Sequence, residues 1–291
     1  MKNKIAMLLG MAASLAVSSV ASANSINYLV PGSNTGGFMM LSKQFAEELD
    51  NVGVSVELQG KGNCVNGMTA LKATTEPSIM IYTTETPMLT RKGCEFDSKA
   101  QLDDMLLTSV MAASGALCTM DKSLTAESIT NQSWKTWTIA VDNNRSGPLS
   151  EFLKGMGVKH KLVTYENSGG AVKGMLGGDA PLSFTNSGKS RAVVKAGGNC
   201  LWVANADKSG AGTVPSYSDV YKTDATYEDM TYVMLGVNLT DAQKAEIISG
   251  FNAAMASDSL NNYANKKWLS IPEPMDMKAL ADEIAQRVNL D

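Results

Sequence analysis

Histidine is almost absent from this sequence, and several kinds of active site are missing with it. The chain contains one histidine, His160, and none of its four cysteines forms a C-x-x-C pair, so we expect no zinc site. It also lacks a G-x-S-x-G segment, a P-loop and any cluster of residues spaced as metal ligands. No Ser-His-Asp set forms around His160. We therefore predict a protein that is not an enzyme and holds no metal or cofactor.

Long apolar runs are also lacking, except at the start of the chain. A basic MKNK segment precedes the apolar run IAMLLGMAASLAVSSV, and Ala21-Ser22-Ala23 supplies small residues for cleavage. This order predicts a signal peptide over residues 1–23 and an exported, periplasmic chain that begins at Asn24. The alternative is a membrane anchor, which the short run rich in Ala and Ser disfavours. No cysteine follows the run, so a lipid anchor is not expected.

Positive charge is scarce in the exported part. Without Lys2 and Lys4, 23 basic residues face 29 acidic ones, a net charge of −6. That balance argues against a nucleic-acid partner, although it permits the local capture of one small anion. All four cysteines lie in the exported part, and an even count there predicts disulfide bonds. Four cysteines allow three pairings, and their positions alone do not choose among them.

Strand-like and helical patterns alternate along the whole chain. The predicted strands are 26–30, 54–58, 78–82, 106–113, 116–120, 137–141, 160–165, 182–184 and 200–204. The predicted helices are 39–49, 68–73, 148–156, 171–176, 240–256 and 277–288, with Thr240 and Asp276 as N-caps of the last two. Repeated strand–loop–helix units predict an α/β fold with mainly parallel sheets.

The ends of these strands are polar and mostly uncharged. The segments that follow them are SNTGG, GKGNC, TTE, NNRSG, NSGG and TNSG. Ligands of parallel sheets bind beyond the carboxyl ends of the strands, so the set predicts one shared cleft. The alternative is that turns between strands and helices simply favour Gly, Asn and Ser.

Five segments of the chain carry a resemblance to a known family. INYLVPGSNTGG, VSVELQGKGNCVNGMTALKA, YENSGGAVKGMLGG, FTNSGKSRAVVKAG and TVPSYSDV are similar, in order and spacing, to segments of the tripartite tricarboxylate transporter receptors. These periplasmic solute-binding proteins are also called Bug receptors. The first loop departs from the family pattern, because Asn34 and Thr35 stand where a Pro-Gly pair is usual. Met39 stands near the position of a usual aspartate.

The resemblance implies a two-lobed periplasmic-binding-protein fold, type II-like, with the ligand cleft between the lobes. One lobe is then expected from residues 24–119 plus 204–291, and the other from 120–203. The same arrangement implies the disulfide pairs Cys64–Cys94 and Cys118–Cys200.

The resemblance further implies capture of a small organic carboxylate by backbone N–H groups, hydroxyls and ordered water. Candidate ligand-binding residues are Ser33, Asn34, Thr35, Gly36, Gly62, Asn63, Thr83, Thr84, Arg145, Ser146, Ser168, Gly169 and Asn186. Each has an alternative role as a structural turn or helix cap. Arg145 either pairs with a second ligand carboxylate or pairs with Asp142 or water at the surface. Phe38, Met39 and Met40 either line an apolar part of the cleft or belong to the core.

The expected partner is a membrane permease of the tripartite tricarboxylate type, which receives the ligand from a monomeric receptor. Two other functions remain open. The chain could present its ligand to a two-component or chemotaxis sensor, which a neighbouring pair of sensor genes would indicate. It could also be a periplasmic enzyme on the same scaffold, which chemical turnover of a ligand would reveal.

Overall fold

The structure, a computed structural model, describes residues 25–272 and 275–291, except for 33, 35, 133, 205–213, 222–226, 228 and 229. The predicted signal peptide, residues 1–23, lies outside the described residues. So do two candidate ligand residues, Ser33 and Thr35. Among the helices that the structure describes, none has the length and apolar character needed to cross a bilayer.

One lobe, called the first lobe below, is built on a five-stranded sheet. Its strands are β1 (Ile26–Val30), β2 (Val56–Gly60), β3 (Ser78–Thr83), β4 (Leu106–Ala113) and β10 (Met230–Val237), in the order β2-β1-β3-β10-β4. β1 is parallel to β2 and β3, whereas β10 runs antiparallel to β3 and β4. Its helices are α1 (Gly37–Asn51), α2 (Cys64–Ala73), α3 (Thr86–Leu89), α4 (Lys99–Met105), α10 (Asp241–Ala256), α11 (Asp258–Lys267) and α12 (Met277–Val288). They cover both faces of the sheet with apolar side chains.

The second lobe repeats this plan on another five-stranded sheet. Its strands are β5 (Gly115–Thr119), β6 (Trp137–Asp142), β7 (His160–Tyr165), β8 (Leu182–Asn186) and β9 (Asn199–Val203), in the order β7-β6-β8-β5-β9. β6 is parallel to β7 and β8, and β5 runs antiparallel to β8 and β9. Its helices are α5 (Ala126–Asn131), α6 (Asn143–Gly155), α7 (Ser168–Gly177), α8 (Ser187–Lys195) and α9 (Tyr217–Tyr221). The predicted two-lobed α/β fold is confirmed.

Local sequence signals placed several elements correctly. Thr240 caps α10 by accepting a hydrogen bond from the backbone N–H of Gln243, and Asp276 caps α12 through Lys278, as predicted. β10 was not predicted. It lies inside the first sheet, between β3 and β4, and runs antiparallel to both.

The expected lobe boundaries need correction. We expected residues up to 119 in the first lobe, but β5 pairs with β8 and β9, so the chain crosses at Ser114. We also expected the return crossing at 204. Ser216 still bridges to Val203, and Tyr217 of α9 is buried in the core of the second lobe. Backbone hydrogen bonds hold β5 in the second sheet, and burial of the Tyr217 side chain holds the returning segment in the second lobe.

The structure joins Cys64 to Cys94 and Cys118 to Cys200, the same pairs that the family resemblance implies. The first bond ties the start of α2 to a loop of the same lobe. The second joins facing residues of β5 and β9, so it lies inside the second sheet and does not link the two lobes.

Candidate functional site

The carboxyl ends of the parallel strands face each other across the two lobes. β1, β2 and β3 end at one edge of the first sheet, and β6, β7 and β8 end at one edge of the second. The helices α1, α2, α6, α7 and α8 begin at or shortly after five of these ends. The space between the two edges is called the cleft below. Helix N-termini carry unpaired N–H groups and partial positive charge, which suits an anion.

Two predicted loops of the first lobe lie side by side. The backbone N–H of Lys61 donates to the carbonyl of Val30 at 2.9 Å, and that of Gly62 donates to the carbonyl of Gly32 at 3.1 Å. Gly62 has φ +79°, a left-handed conformation that favours glycine. Asn34 and Asn63 are exposed beside these bonds. The structure therefore brings the loop after β1 and the loop after β2 together.

An ion-pair cluster, here called the interlobe cluster, joins the lobes. It consists of Glu85 at the N-cap of α3 in the first lobe and of Asp142, Arg145 and Ser168 in the second. Arg145 Nη2 donates to Glu85 Oε1 at 2.6 Å, while Arg145 Nη1 donates to Asp142 Oδ2 at 2.7 Å and to Ser168 Oγ at 3.2 Å. Ser168 Oγ in turn donates to Asp142 Oδ2 at 2.5 Å. Beside the cluster, α3 packs against α6.

The interlobe cluster is almost dry. Glu85 is 9% exposed, Arg145 6% and Asp142 2%. Burial acts to lower the pKa of Arg145, but the Glu85 and Asp142 carboxylates outweigh it and raise the pKa above its ordinary value. The guanidinium therefore stays charged, and one cation faces two carboxylates. Asp142 is held independently of this contact, because its Oδ1 also accepts the backbone N–H of Arg145 as the N-cap of α6.

Two threonines at the end of β3, Thr83 and Thr84, directly precede Glu85 in the chain. Thr84 is bound within its own lobe, since its Oγ1 accepts the N–H of Thr231 at 3.2 Å. Thr83 is 1% exposed, and its hydroxyl has no hydrogen-bond partner among the described residues. Thr83 lies opposite Tyr232 in the sheet, and the Tyr232 ring packs edge-to-face on Phe38 at 5.5 Å between centroids.

The three apolar residues after the first loop divide between the two roles considered for them. Phe38 is half-buried against Tyr232, at the side of the first loop. Met39 belongs to the core, and Met40 is exposed on the outside of α1.

Other predicted site residues have clear structural bonds. Asn63 and Asn186 are N-caps that accept the backbone N–H of Asn66 and Lys189. The Ser146 hydroxyl donates to the carbonyl of Asn143 at 3.0 Å, inside its own helix. Gly36 is the N-cap residue of α1, and Gly169 follows Ser168 in the first turn of α7. Capping accounts for the asparagines, and their remaining lone pairs and exposed edges stay predicted ligand contacts.

Sequence reasoning missed Glu85 as a member of the site and treated Asp142 only as one surface partner of Arg145. A signal for both was present. Among the polar strand ends, TTE carries a negative charge and NNRSG a positive one, and the acidic Asp142 directly precedes NNRSG. Opposite charges on two loops that face one cleft are a reason to pair them, once the fold places the loops in opposite lobes.

A second contact between the lobes lies at the end of β8, which neighbours β6 in the second sheet. Ser187 Oγ at the start of α8 donates to the carbonyl of Trp268 at the end of α11. A Cβ at Gly188 would lie 2.8 Å from the carbonyl oxygen of Lys267, so only glycine fits this approach. The positive end of α8 thus meets the negative end of α11.

His160 lies far from the cleft along the sheet. It stands at the start of β7, whereas the cleft lies beyond the ends of the strands. It is half-buried, with its ring nitrogens 2.9 Å from Ser150 Oγ and 2.9 Å from the carbonyl oxygen of Val158. Within the described residues, no group of three or more His, Cys, Asp or Glu side chains is placed to hold a metal ion.

Comparison by sequence finds little. No protein-family model matches the chain, and no curated protein matches it in sequence.

Comparison by structure finds one fold. A TctC solute-binding protein from Polaromonas superposes with a TM-score of 0.70 at 13% identity, over 91% of this chain and 95% of that one. Rpa4515 of R. palustris with adipate gives 0.65 at 18% identity, over 91% and 97%. MatC of Rhodopseudomonas palustris with bound malate gives 0.65 at 9% identity, over 91% and 96%. The chain therefore has the two-lobed fold of periplasmic solute-binding proteins.

Proposed function

We propose that this chain is a receptor of the tripartite tricarboxylate transporter type. It captures a small organic carboxylate in the periplasm by closing its lobes, and it delivers the ligand to a membrane permease. The observation that carries the proposal is the cleft itself: helix N-termini of both lobes face one space in a fold shared with carboxylate-bound solved structures. One of the named solved structures is a solute-binding protein and the other two hold a carboxylate, which favours a receptor over an enzyme.

Closure follows from the contacts that a ligand would make with both lobes at once. A carboxylate offers about four acceptor positions. Backbone N–H groups near Gly36 and Gly62 would supply donors from the first lobe, and those near Gly169 would supply donors from the second. A ligand that touches both lobes binds the closed form more tightly, and this difference in affinity shifts the population toward closure.

Thr83 adds a specific observation in support. A buried hydroxyl without a partner costs free energy, and ligand sites are places where such a group gains its partner on binding. We assign Thr83 to the ligand-binding set together with Ser33, Asn34, Thr35, Asn63, Thr84, Ser146, Ser168 and Asn186.

A thermal-shift screen with mono-, di- and tricarboxylates and aromatic acids tests the proposal. Ligand at about 100 times its dissociation constant stabilises the native state by about 2.7 kcal/mol, so a true ligand raises Tm with its concentration. The matched amides, which keep the shape and remove the charge, should give no shift. If no carboxylate raises Tm, the proposed ligand class is wrong. If the amides raise Tm by the same amount, the cleft does not recognise the charge of the ligand.

Delivery to a permease needs its own test. The liganded, closed receptor should bind detergent-solubilised or liposome-embedded permease encoded beside its gene, and the unliganded receptor should bind more weakly. We expect a monomeric receptor in this assay. Equal binding with and without ligand would contradict a delivery role that depends on closure.

A further inference from the structure

Glu85 brings a negative charge into a cleft proposed to hold an anion. Its carboxylate reaches across from the first lobe to Arg145 Nη2 at 2.6 Å. Arg145 already has a carboxylate from its own lobe, because Asp142 Oδ2 lies 2.7 Å from Nη1. Neutralising the guanidinium therefore does not require Glu85. The three charged side chains of the interlobe cluster carry a net charge of −1.

Glu85 occupies the position on the Arg145 guanidinium that a ligand carboxylate would need in order to bind there. A planar guanidinium binds a carboxylate best through its paired N–H groups. On Arg145, Nη1 is directed to Asp142 and Ser168, and Nη2 is directed to Glu85. A second carboxylate of a ligand would have to displace Glu85. That displacement would break the 2.6 Å bond to Arg145 and place a second anion beside a carboxylate that is 9% exposed.

We propose that Glu85 is an internal carboxylate that takes the place of a second ligand carboxylate on Arg145. It restricts the ligand to one carboxylate, with an uncharged remainder, and it ties the lobes together at the same time. This inference rests on the proposed carboxylate-binding function. The aromatic pair Phe38 and Tyr232, at the end of β3 next to this cluster, suits an uncharged tail.

The electrostatics near Tyr232 agree with this placement. Burial raises the pKa of the Tyr232 phenol, Glu85 adds to the rise, and Arg145 opposes it. The phenol thus lies within the field of the interlobe cluster. The uncharged tail and the internal ion pair are therefore neighbours in one region of the cleft, and the carboxylate of the ligand is left to the helix N-termini elsewhere in it.

The decisive variant is Glu85→Gln, which keeps the shape and removes the charge. Calorimetry should compare dicarboxylates with monocarboxylates of equal chain length, such as adipate with hexanoate and succinate with butyrate. The wild-type protein should bind the monocarboxylate of the best-fitting length at least tenfold more tightly. E85Q should reduce this preference at least tenfold or invert it. The control Glu246→Gln removes an exposed carboxylate of α10, away from the strand ends, and should leave the preference unchanged.

Two results overturn the inference while leaving the proposed function intact. One is a wild-type protein that prefers the dicarboxylate. The other is an E85Q variant that binds both members of each pair more weakly by the same factor, which makes Glu85 only a tie between the lobes. Absence of binding by every carboxylate overturns the proposed function, and this inference with it.

A ligand-free measurement keeps the test independent of ligand choice. Small-angle scattering of unliganded E85Q should give a larger radius of gyration than the wild-type protein, because the tie between the lobes is lost. Should E85Q fail to fold, Glu85→Asp is the second variant. It keeps the charge but shortens the reach by one methylene, so it should open the unliganded protein and still disfavour the dicarboxylate. An E85D variant that binds dicarboxylates as tightly as monocarboxylates contradicts the exclusion by charge.

Discussion

The substitution Asp142→Asn measures how much the buried negative charge of Asp142 contributes to the free energy of unfolding. Asn fits the same space and remains a good N-cap, so its oxygen can still accept the backbone N–H of Arg145. The substituted NH2 group, however, faces two donors where Asp142 Oδ2 accepted two hydrogen bonds. These come from Arg145 Nη1 at 2.7 Å and Ser168 Oγ at 2.5 Å. The change therefore removes two charge-assisted bonds and one buried anion.

The expected cost follows from what remains. A hydrogen bond to a charged group contributes about 1.5–3 kcal/mol, and the Ser168 hydroxyl can rotate toward another acceptor. Breaking a buried ion pair costs about 3–5 kcal/mol when the remaining ion is uncompensated. Here Arg145 keeps Glu85 at 2.6 Å, so the loss should be smaller. We expect the free energy of unfolding to fall by about 2–3 kcal/mol, which lowers Tm by about 4–5 °C in a protein of this size.

The matched control is Asp276→Asn, the same substitution at the exposed N-cap of α12. It loses only the interaction of a negative charge with the helix dipole, less than about 1 kcal/mol. Urea unfolding followed by circular dichroism at 222 nm measures both variants and the wild-type protein. If the two substitutions lower the free energy of unfolding by the same amount, the buried ion pair contributes no net stability and the reasoning above is wrong.

Three further predictions follow from single contacts. Replacing Cys118 and Cys200 by alanine should lower the free energy of unfolding by about 4.5 kcal/mol in a chain-entropy account, because the bond closes a sequence separation of 82. Gly188→Ala should separate the lobes and enlarge the radius of gyration in scattering, because its Cβ would lie 2.8 Å from the Lys267 carbonyl oxygen. Thr83→Val should keep or raise stability in urea unfolding, and it should weaken carboxylate binding on the order of tenfold in calorimetry.

Each of these predictions has a control inside the chain. The Cys64–Cys94 bond closes a separation of 30, so its removal should cost about 1 kcal/mol less, and the reverse order contradicts the entropic account. Gly177→Ala, a helical glycine with nothing within 4 Å of its Cβ position, should leave the radius of gyration unchanged. Thr84→Val removes the acceptor of a buried N–H and should destabilise the fold, whereas Thr83→Val should not. Unchanged ligand affinity in the Thr83 variant removes Thr83 from the site.

The strand–helix alternation was readable because side-chain direction has a fixed local period in each element. The N-caps Thr240 and Asp276 were readable for the same local reason, since a cap bonds to the backbone two or three residues along. β10 was not predicted because its partners, β3 and β4, are distant in sequence, so only tertiary pairing places it between them. The edge of the second lobe was misplaced at residue 119 because strand pairing, and not the strand's own sequence, decides which sheet it joins.

The same division runs through the candidate site. The sequence by itself determined the polar strand ends, the glycines and caps around them, and the presence of Arg145 in one of those loops. Only the tertiary structure decided that Arg145 meets Glu85, 60 residues away and in the other lobe, and that both are buried there. The physical reason is that local hydrogen bonding and side-chain period act over a few residues. The pairing of two charges across a cleft depends on how two separately folded sheets pack, and no local pattern contains that information.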